Sequence, residues 1–418
     1  MKLSKFNIEK ILDEGLLIYN SYSSGVLFLN EEYKEAYYAI KNQNFYKEDL
    51  VNELKKGSML VEDNMDEIGS IKFNNNLIRS NENSLSLTLA PTMECNFACP
   101  YCFEEGYRHN KMTPIVEKKV IDFIKNDFEN KERLDICWYG GEPLMGLKSI
   151  INITKALWEI PRLKENYSAD IVTNGFYLNR KNALILKELG IKRAQITLDG
   201  PPDIHDTRRV PQNGRPTFES IMNNIQEVCG IINISIRVNV DKSNISRVVE
   251  ILDILDDRGL KNKVGFYIAS VDDTMDENPN PLCFNDKEFS YEEIEFYIAA
   301  LKKGYNLINV PGQLLGVCGA VSLNSYVIDP LGDLYKCWDE IGRKEFSVGN
   351  VFKGPEFNSV LSNYLNYEAI SDEKCIDCAV LPACMGGCPN INIRTKTRRC
   401  SSILYNAEKV MELLYTNS

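Results

Sequence analysis

Between residues 85 and 310 the chain alternates short apolar runs with segments of helical period, at the intervals that βα units require. The runs typical of strands cover residues 85–90, 134–139, 169–173, 194–198, 233–240 and 264–269. Helical patterns between them include residues 113–128, 178–189, 217–229 and 245–258. Six such units predict an α/β fold with a partial (β/α)6 barrel similar to a TIM barrel, whose active site lies at the carboxyl ends of the strands.

A cysteine-rich loop directly follows the first of these strands. Its Cys95, Cys99 and Cys102 have the spacing C-x3-C-x2-C. Iron–sulfur clusters usually take four cysteine thiolates, so three cysteines on one loop could leave one iron open for chemistry. The alternative, a structural zinc site, needs a nearby fourth ligand. The chain has only two histidines, His109 and His205, so the spacing favours iron.

The sequence of this loop, Cys-Asn-Phe-Ala-Cys-Pro-Tyr-Cys at residues 95–102, resembles the signature of the radical S-adenosylmethionine (SAM) superfamily. The resemblance implies that the open iron chelates the amino and carboxylate groups of SAM. It further implies that the reduced cluster cleaves SAM to a 5′-deoxyadenosyl radical, and that this radical removes a hydrogen atom from the substrate.

Polar motifs at the predicted strand ends resemble the elements that bind SAM in this family. The predicted contacts are Gly140, Gly141, Glu142, Pro143, Asn174, Thr197, Asp199 and Arg237. In the resembled family the loop at residues 140–143 binds the amino group of SAM, and a carboxylate such as Glu142 suits an ammonium partner. Arg237 is the candidate for the SAM carboxylate, because a guanidinium matches a carboxylate in shape. The alternative for Arg237 is a solvent-facing residue on an edge strand.

The run at residues 199–209 resembles the radical SAM subgroup that modifies peptides and proteins, including sulfatase maturases and thioether-forming peptide maturases. Its Arg208 and Arg209 could bind carboxylates or the backbone of a substrate. A histidine ordinarily titrates near neutrality, so His205 could transfer protons, but a lone histidine in a loop is more often structural. No catalytic side chain is therefore predicted.

The carboxyl-terminal part of the chain contains a second set of cysteines. Their order resembles the SPASM extension of radical SAM proteins, which carries two auxiliary 4Fe–4S clusters; the alternative for paired cysteines is a two-zinc ribbon. The resemblance implies three 4Fe–4S clusters in all. The ligands that it implies for the distal auxiliary cluster are Cys375, Cys378, Cys384 and Cys400. Those for the auxiliary cluster nearer the barrel are Cys318, Cys337 and Cys388.

Two positions depart from the pattern of sulfatase maturases. Those enzymes have a fourth ligand to the nearer cluster six residues after the first, where this chain has Asn324. They place a catalytic aspartate immediately after the cysteine that matches Cys337, where this chain has Trp338, with Asp339 one residue later. A substrate cysteine thiolate could bind the vacant iron, or Cys283 could supply the fourth ligand.

The segment at residues 1–82 contains no cysteine and is predicted to form a separate domain. Its pattern predicts strands at residues 11–16 and 25–29 around a turn at residues 21–24. Helices are predicted at residues 31–40 and 48–55 and a short strand at residues 59–61. This order resembles the winged-helix recognition element of ribosomal-peptide maturases, which binds the precursor's leader as an added edge strand. The alternative is a subdomain with only a packing role.

Composition limits the cellular setting. The chain has 13 cysteines and begins without the apolar core of a signal peptide, which predicts metal sites in a reducing cytoplasm rather than disulfides. Its net charge of −11 disfavours nucleic acid as a partner, and no stretch approaches a membrane span. The predicted domains are residues 1–82 (recognition element), 83–310 (radical SAM barrel) and 311–418 (SPASM domain).

These features predict an oxidoreductase that matures a ribosomally made precursor peptide, with its leader bound at the amino-terminal domain. The predicted product is a thioether from a cysteine sulfur to carbon, of the sactipeptide or ranthipeptide type. The implied reductant is a flavodoxin or ferredoxin. Alternatives on the same fold are a carbon–carbon crosslink, epimerisation, or formylglycine on a sulfatase. A non-catalytic Fe–S carrier is a third hypothesis, which the loop at residues 140–143 disfavours.

Overall fold

The structure is a computed structural model. The residues that it describes are 1–102, 104, 110–128, 131–212, 214–272, 280–308, 312–314 and 316–417.

The strands in the described residues are β1 (Lys2–Leu3), β2 (Asn7–Leu12), β3 (Gly15–Asn20), β4 (Gly25–Leu29), β5 (Leu60–Val61), β6 (Ser84–Leu89), β7 (Arg133–Trp138), β8 (Tyr167–Thr173), β9 (Ile191–Leu198), β10 (Asn233–Val240), β11 (Gly265–Ser270), β12 (Ser325–Ile328), β13 (Leu334–Tyr335), β14 (Gly349–Asn350) and β15 (Gly354–Pro355). The α-helices are α1 (Glu31–Lys41), α2 (Glu48–Lys56), α3 (Glu67–Arg79), α4 (Pro114–Phe128), α5 (Leu147–Trp158), α6 (Pro161–Glu165), α7 (Arg180–Glu188), α8 (Pro202–Arg208), α9 (Phe218–Val228), α10 (Glu250–Asp257), α11 (Asp286–Lys302), α12 (Ser359–Leu365), α13 (Glu373–Ile376), α14 (Leu381–Cys384), α15 (Pro389–Thr395) and α16 (Ile403–Thr416).

The chain divides into two compact units. The first unit comprises Met1–Arg79, Asn285–Cys318 and Tyr367–Ser418. The second comprises Ser80–Phe284 and Gly319–Asn366. These units do not follow the predicted order of three consecutive domains, because each is built from separated stretches of chain. The predicted boundary at residues 310 and 311 lies outside the described residues, and the roles assigned to the three segments stay predictions.

The second unit is built on a large, mostly parallel sheet, as the α/β prediction requires. The strand order is β11-β10-β9-β8-β7-β6-β12-β13, parallel throughout except for the last pair. The strands β6 to β11 occupy the six predicted positions to within three residues at each end. Buried residues alternate with less buried ones along β6, β7, β8 and β10, which is the period of a strand with one face in the core. Pairing of β12 with β6 was not predicted.

Helix α10 differs from the predicted helix over residues 245–258. The structure has a 3-10 turn at Ile245–Arg247, and the α-helix begins at Glu250. Asn244 precedes the turn, and its side chain accepts a hydrogen bond from the backbone of Asp241 and donates to the carbonyls of two strand ends. These bonds compete with a regular helical start.

In the first unit an antiparallel sheet, β2-β3-β4, packs against α1 and α2. The predicted turn at residues 21–24 and the strand after it are confirmed, but the predicted strand over residues 11–16 is wrong. The chain turns at Asp13 and Glu14, and β3 begins only at Gly15. Gly15 has φ +156°, and a Cβ there would lie 2.0 Å from the carbonyl oxygen of Leu29. Glycine is thus required at this position, and it separates two strands that periodicity alone had joined.

No helix in the described part of the chain is long and apolar enough to cross a membrane.

The central strand β9 supplies a test of the core. Ile196 is fully buried there, whereas Ile115 is 68 % exposed. We expect Ile196→Ala to lower the free energy of unfolding by about 3 kcal/mol, because it removes buried methyl groups and leaves a cavity. Ile115→Ala should change it by less than about 0.5 kcal/mol. Urea unfolding followed by circular dichroism measures both, and equal effects would contradict the assigned register of β9.

Candidate functional site

The loop at residues 140–143 follows β7 and packs directly against the chain before the cysteine loop. Gly141 N donates to the carbonyl oxygen of Thr92 at 3.2 Å, and Glu142 N donates to that of Glu94 at 2.8 Å. A Cβ on Gly140 would lie 2.4 Å from the Thr92 oxygen, and one on Gly141 would lie 2.4 Å from the Glu94 oxygen. Both glycines are therefore needed for this close approach, and the loop forms a wall beside Cys95.

Glu142 is fully buried, and its carboxylate accepts three hydrogen bonds from the protein. The donors are Leu144 N at 3.0 Å, Thr173 Oγ1 at 2.8 Å and Asn174 N at 2.8 Å. Burial raises the pKa of Glu142, and these donors oppose the rise. Glu142 thus joins the ends of β7 and β8, and its predicted contact with the amino group of SAM stays a prediction.

Asn174 connects this wall to the cysteine loop. Its Nδ2 donates to Asn96 Oδ1 at 2.8 Å and lies 3.9 Å from Cys95 Sγ. The backbone N–H of Asn174 is one of the donors to Glu142. The sequence did not single out Asn96, because only the fold reveals that its side chain faces the end of β8.

Asp199 and Thr197, at the end of β9, are both buried. Asp199 accepts a hydrogen bond from Arg208 Nε at 3.1 Å, and Arg208 Nη1 also donates to Asp241 at 2.7 Å. The guanidinium of Arg208 therefore lies between two carboxylates of its own chain. Arg208 thus has an internal role, which holds the ends of β9 and β10 together, and its contact with a substrate stays a prediction.

Arg237 lies on β10, which pairs with β9 on one side and β11 on the other. The alternative of a solvent-facing arginine on an edge strand is therefore wrong. Arg237 is partly buried, and its Nε donates to Asn239 Oδ1 at 2.8 Å on the same face of the strand. This bond orients the guanidinium, and its predicted contact with the SAM carboxylate stays a prediction.

Cys99 is buried and Cys95 and Cys102 are partly buried. Burial raises the pKa of Cys95 to about 12 and that of Cys102 to about 11, and it also raises the pKa of Cys99. The loop thus carries three soft sulfur donors, and iron, which takes thiolates, would displace their protons on binding. Among the described residues no three His, Cys, Asp or Glu side chains are already arranged to hold a single metal ion, so the ligand sets stay predictions.

His205 is fully buried on α8, where its ring packs edge-on against Phe218 and its Nε2 lies 3.3 Å from Thr217 Oγ1. Burial lowers the pKa of His205 well below its usual value, and nearby Arg209 lowers it further. The burial and ring packing of His205 are those of a structural residue, which the sequence favoured. His109 lies outside the described residues.

The four predicted ligands of the distal cluster all belong to the first unit, and their common cluster stays a prediction. Burial raises the pKa values of Cys375, Cys378 and Cys400, and the nearby Cys384 raises each of them further. A Cβ on Gly387, φ +77°, would lie 1.9 Å from the carbonyl oxygen of Arg399. This contact fixes the turn after Cys384 against the residue before Cys400.

Cys318 and Cys388 belong to the first unit and Cys337 to the second, and their common cluster stays a prediction. Cys337 is buried, and its Sγ lies 3.7 Å from Asp339 Oδ2. Trp338 is 44 % exposed and packs against Tyr139, with ring centroids 5.3 Å apart. The side chain that follows Cys337 is thus a partly exposed indole.

Residues 89–255 match the radical SAM superfamily. The chain therefore carries a radical SAM domain over these residues. It is 24% identical to the radical SAM cyclopropyl synthase TigE of Paramaledivibacter caminithermalis, over 92% of this chain and 89% of that protein. It is 26% identical to a cysteine-type anaerobic sulfatase-maturating enzyme of Clostridium novyi, over 73% of this chain and 88% of that enzyme.

The structure of Streptococcus suis SuiB bound to its precursor peptide SuiA superimposes with a TM-score of 0.57 at 16% identity. The superposition covers 96% of this chain and 97% of SuiB, so the two proteins share a fold over nearly their whole length.

The buried carboxylate of Glu142 gives a test of the site. Glu142→Gln replaces one acceptor oxygen with an amide group that faces a donor. We expect about tenfold weaker SAM binding, because the variant loses the charged acceptor predicted for the amino group of SAM, and a hydrogen bond to a charged group contributes on the order of 1.5–3 kcal/mol. Calorimetric titration of the anaerobically reconstituted protein measures it, with the exposed Glu132→Gln as control. Equal SAM affinity in the two variants would contradict the role given to Glu142.

Proposed function

We propose that this protein is a radical SAM enzyme that matures a ribosomally made peptide by joining a cysteine sulfur to a carbon atom as a thioether. The observation that carries the peptide part is an open sheet edge beside a groove in the first unit, in the same chain as a radical SAM domain. The product rests on a separate feature, the set of auxiliary cysteines.

The open edge belongs to β4, the last strand of the sheet β2-β3-β4. Among the described residues no other strand pairs with its far side. A groove of about 590 Å³ runs beside it, lined by Leu27 and Phe28 of β4 and by Tyr33, Leu50 and Lys56 of α1 and α2. An extended peptide could hydrogen-bond to β4 while its side chains enter this groove. The groove supports a leader-binding role for residues 1–82.

The similarity to two proteins that bind or modify polypeptides supports a peptide substrate. SuiB, which shares the fold over nearly the whole chain, is known with a bound precursor peptide. The Clostridium novyi relative is a sulfatase-maturating enzyme, and its substrate is therefore a protein.

The proposed thioether is supported by the ligand set of the nearer auxiliary cluster, for which the sequence offers three cysteines and no matching fourth ligand. Cys318, Cys337 and Cys388 would supply three thiolates to the nearer auxiliary cluster, and the position of a fourth ligand in sulfatase maturases is Asn324. Asn324 Nδ2 donates to the carbonyl oxygen of Asn81 at 3.1 Å. This bond engages the Asn324 amide with the backbone rather than with iron. A cysteine of the substrate fits the remaining iron, because iron binding deprotonates a thiol.

Cys95, Cys99 and Cys102 would hold an iron–sulfur cluster that, with SAM bound, would supply a 5′-deoxyadenosyl radical to take one hydrogen atom from the peptide. The thiol of the substrate would lose its hydrogen as a proton, and an auxiliary cluster would accept the remaining electron when sulfur bonds to carbon. The chain's own residues position these groups. Glu142 and Asn174 hold the wall against the cysteine loop, and the hydrogen bond to Asn239 orients the guanidinium of Arg237 on β10. Electrons would come from a flavodoxin or a ferredoxin.

Formation of a carbon–carbon bond is the second candidate. It is favoured by the similarity to TigE, a cyclopropyl synthase, over 92% of this chain. Formylglycine formation is a weaker candidate, because Trp338 occupies the position at which sulfatase maturases have a catalytic aspartate. These products differ in the fate of the substrate's cysteine.

Anaerobic mass spectrometry of a cysteine-containing precursor peptide tests the proposal. With reconstituted enzyme, SAM and a reductant, we expect a loss of two hydrogens per crosslink and a cysteine that iodoacetamide no longer alkylates. Cys99→Ala should abolish both the product and 5′-deoxyadenosine, because the cluster loses a ligand. Cys229→Ala, which changes a cysteine at the end of α9, is the control and should keep both activities.

The outcomes separate the candidates. Loss of two hydrogens with a free thiol would replace the thioether by a carbon–carbon bond. Formation of 5′-deoxyadenosine by Cys99→Ala at the wild-type rate would overturn the assignment of the cysteine loop.

The groove beside β4 gives a separate test. Tyr33 lines the groove, and its hydroxyl donates to the Asp49 carboxylate. We expect Tyr33→Ala to weaken leader binding about tenfold, because an aromatic contact of this size contributes on the order of 1–2 kcal/mol. Fluorescence polarisation with a labelled leader measures it. Tyr46→Ala, at an exposed position outside the groove, is the control, and equal affinities would argue for a packing role of residues 1–82.

A further inference from the structure

Arg209 is a buried arginine that lies against the cysteine loop. It directly follows α8 and is only 8% exposed. Its Nη1 donates to the Tyr101 hydroxyl at 2.9 Å, and its guanidinium carbon lies 5.6 Å from the centroid of the Phe97 ring. It thus contacts the residues on both sides of Cys99.

The backbone after Arg209 runs antiparallel to this loop. Ala98 N donates to the carbonyl oxygen of Val210 at 2.7 Å, and Gln212 N donates to that of Asn96 at 3.0 Å. Gln212 Nε2 donates to the carbonyl oxygen of Cys95 at 3.0 Å. Val210 and Gln212 therefore hold the cysteine loop, and they keep the backbone of Arg209 beside it.

The guanidinium keeps its charge in this place. Burial opposes the charge of Arg209, but the Tyr101 hydroxyl and the Asp199 carboxylate lie next to its guanidinium. Within the described residues its Nε has no hydrogen-bond partner. Arg208, by contrast, is shared between Asp199 and Asp241, which balance its charge. Arg209 Nη1 forms a longer ion pair, at 3.9 Å, with the same Asp199 carboxylate.

We propose that Arg209 is a positioning residue that sets the electrostatic potential at the cluster held by Cys95, Cys99 and Cys102. The inference rests on the proposed ligand role of these cysteines. Reduction of an iron–sulfur cluster adds one negative charge, and a fixed cation close to it favours the reduced state. A buried guanidinium is the suitable group, because it stays protonated at every working pH.

A redox titration followed by electron paramagnetic resonance tests this proposal. The signal to follow is the one that changes on addition of SAM, since it belongs to the cluster with an open iron. We expect Arg209→Met to shift its midpoint potential to a more negative value, so that the ratio of reduced to oxidised cluster at a fixed potential falls about tenfold. Arg209→Lys keeps the charge and should stay within about threefold of wild type.

Two controls complete the experiment. Arg193→Met removes an arginine that is 61% exposed and pairs with Asp170, and it should leave the midpoint potential unchanged. Thermal unfolding of each apoprotein and its iron content show whether a variant folds and loads the cluster.

The possible results either support or overturn the proposed effect of the Arg209 charge on the cluster. If Arg209→Met folds but loads no iron while Arg209→Lys does, a requirement for the charge is supported. Equal midpoint potentials in wild type and Arg209→Met, or loss of iron in both Arg209 variants with unchanged unfolding, would overturn it. None of these measurements needs a peptide, so they are independent of the peptide proposal. Failure of the cysteine assignment appears separately, as 5′-deoxyadenosine formed by Cys99→Ala.

Discussion

The site depends on one buried carboxylate, that of Glu142. Removing a carboxylate from water costs several kcal/mol unless donors replace the lost hydration. Here three donors do so, and two of them, from Thr173 and Asn174, belong to the end of the neighbouring strand. The carboxylate is thus tolerated only when β7 and β8 end at the same level. Because Asn174 also binds Asn96 in the cysteine loop, one charge couples the sheet to the loop that would carry iron.

The strands and the site motifs could be predicted because each is encoded by a short, continuous stretch of sequence. Strands β6 to β11 have apolar runs of strand length, bounded by polar loops, and the motifs at Cys95 and Gly140 follow those strands directly. The carboxyl ends of parallel strands lie at one edge of a sheet, so these motifs could be placed together before any coordinates were known. The mostly parallel sheet and the radical SAM domain followed from the same signals.

The parts that were missed depend on partners far apart in the chain. Ser325 pairs with Ser86 in a parallel register, and neither short strand indicates the other. The internal role of Arg208 was not predicted, because only the fold places it between Asp199 and Asp241. The turn at Asp13 was hidden because the apolar residues on each side of it continue a strand-like pattern. In each case the tertiary contact, rather than the local propensity, decides the role of the residue.

The open side of β4 has a further consequence for the protein when no peptide is bound. Its sequence, Gly-Val-Leu-Phe-Leu, carries no charge, and Val26 is 45% exposed. Natural sheets protect such edges with lysine, proline or bulges, since an unpaired edge can also pair with the edge of another molecule. An edge that accepts a leader therefore also invites self-association. Occupation by a peptide would remove that liability, and a substrate would in this way keep its own enzyme dispersed.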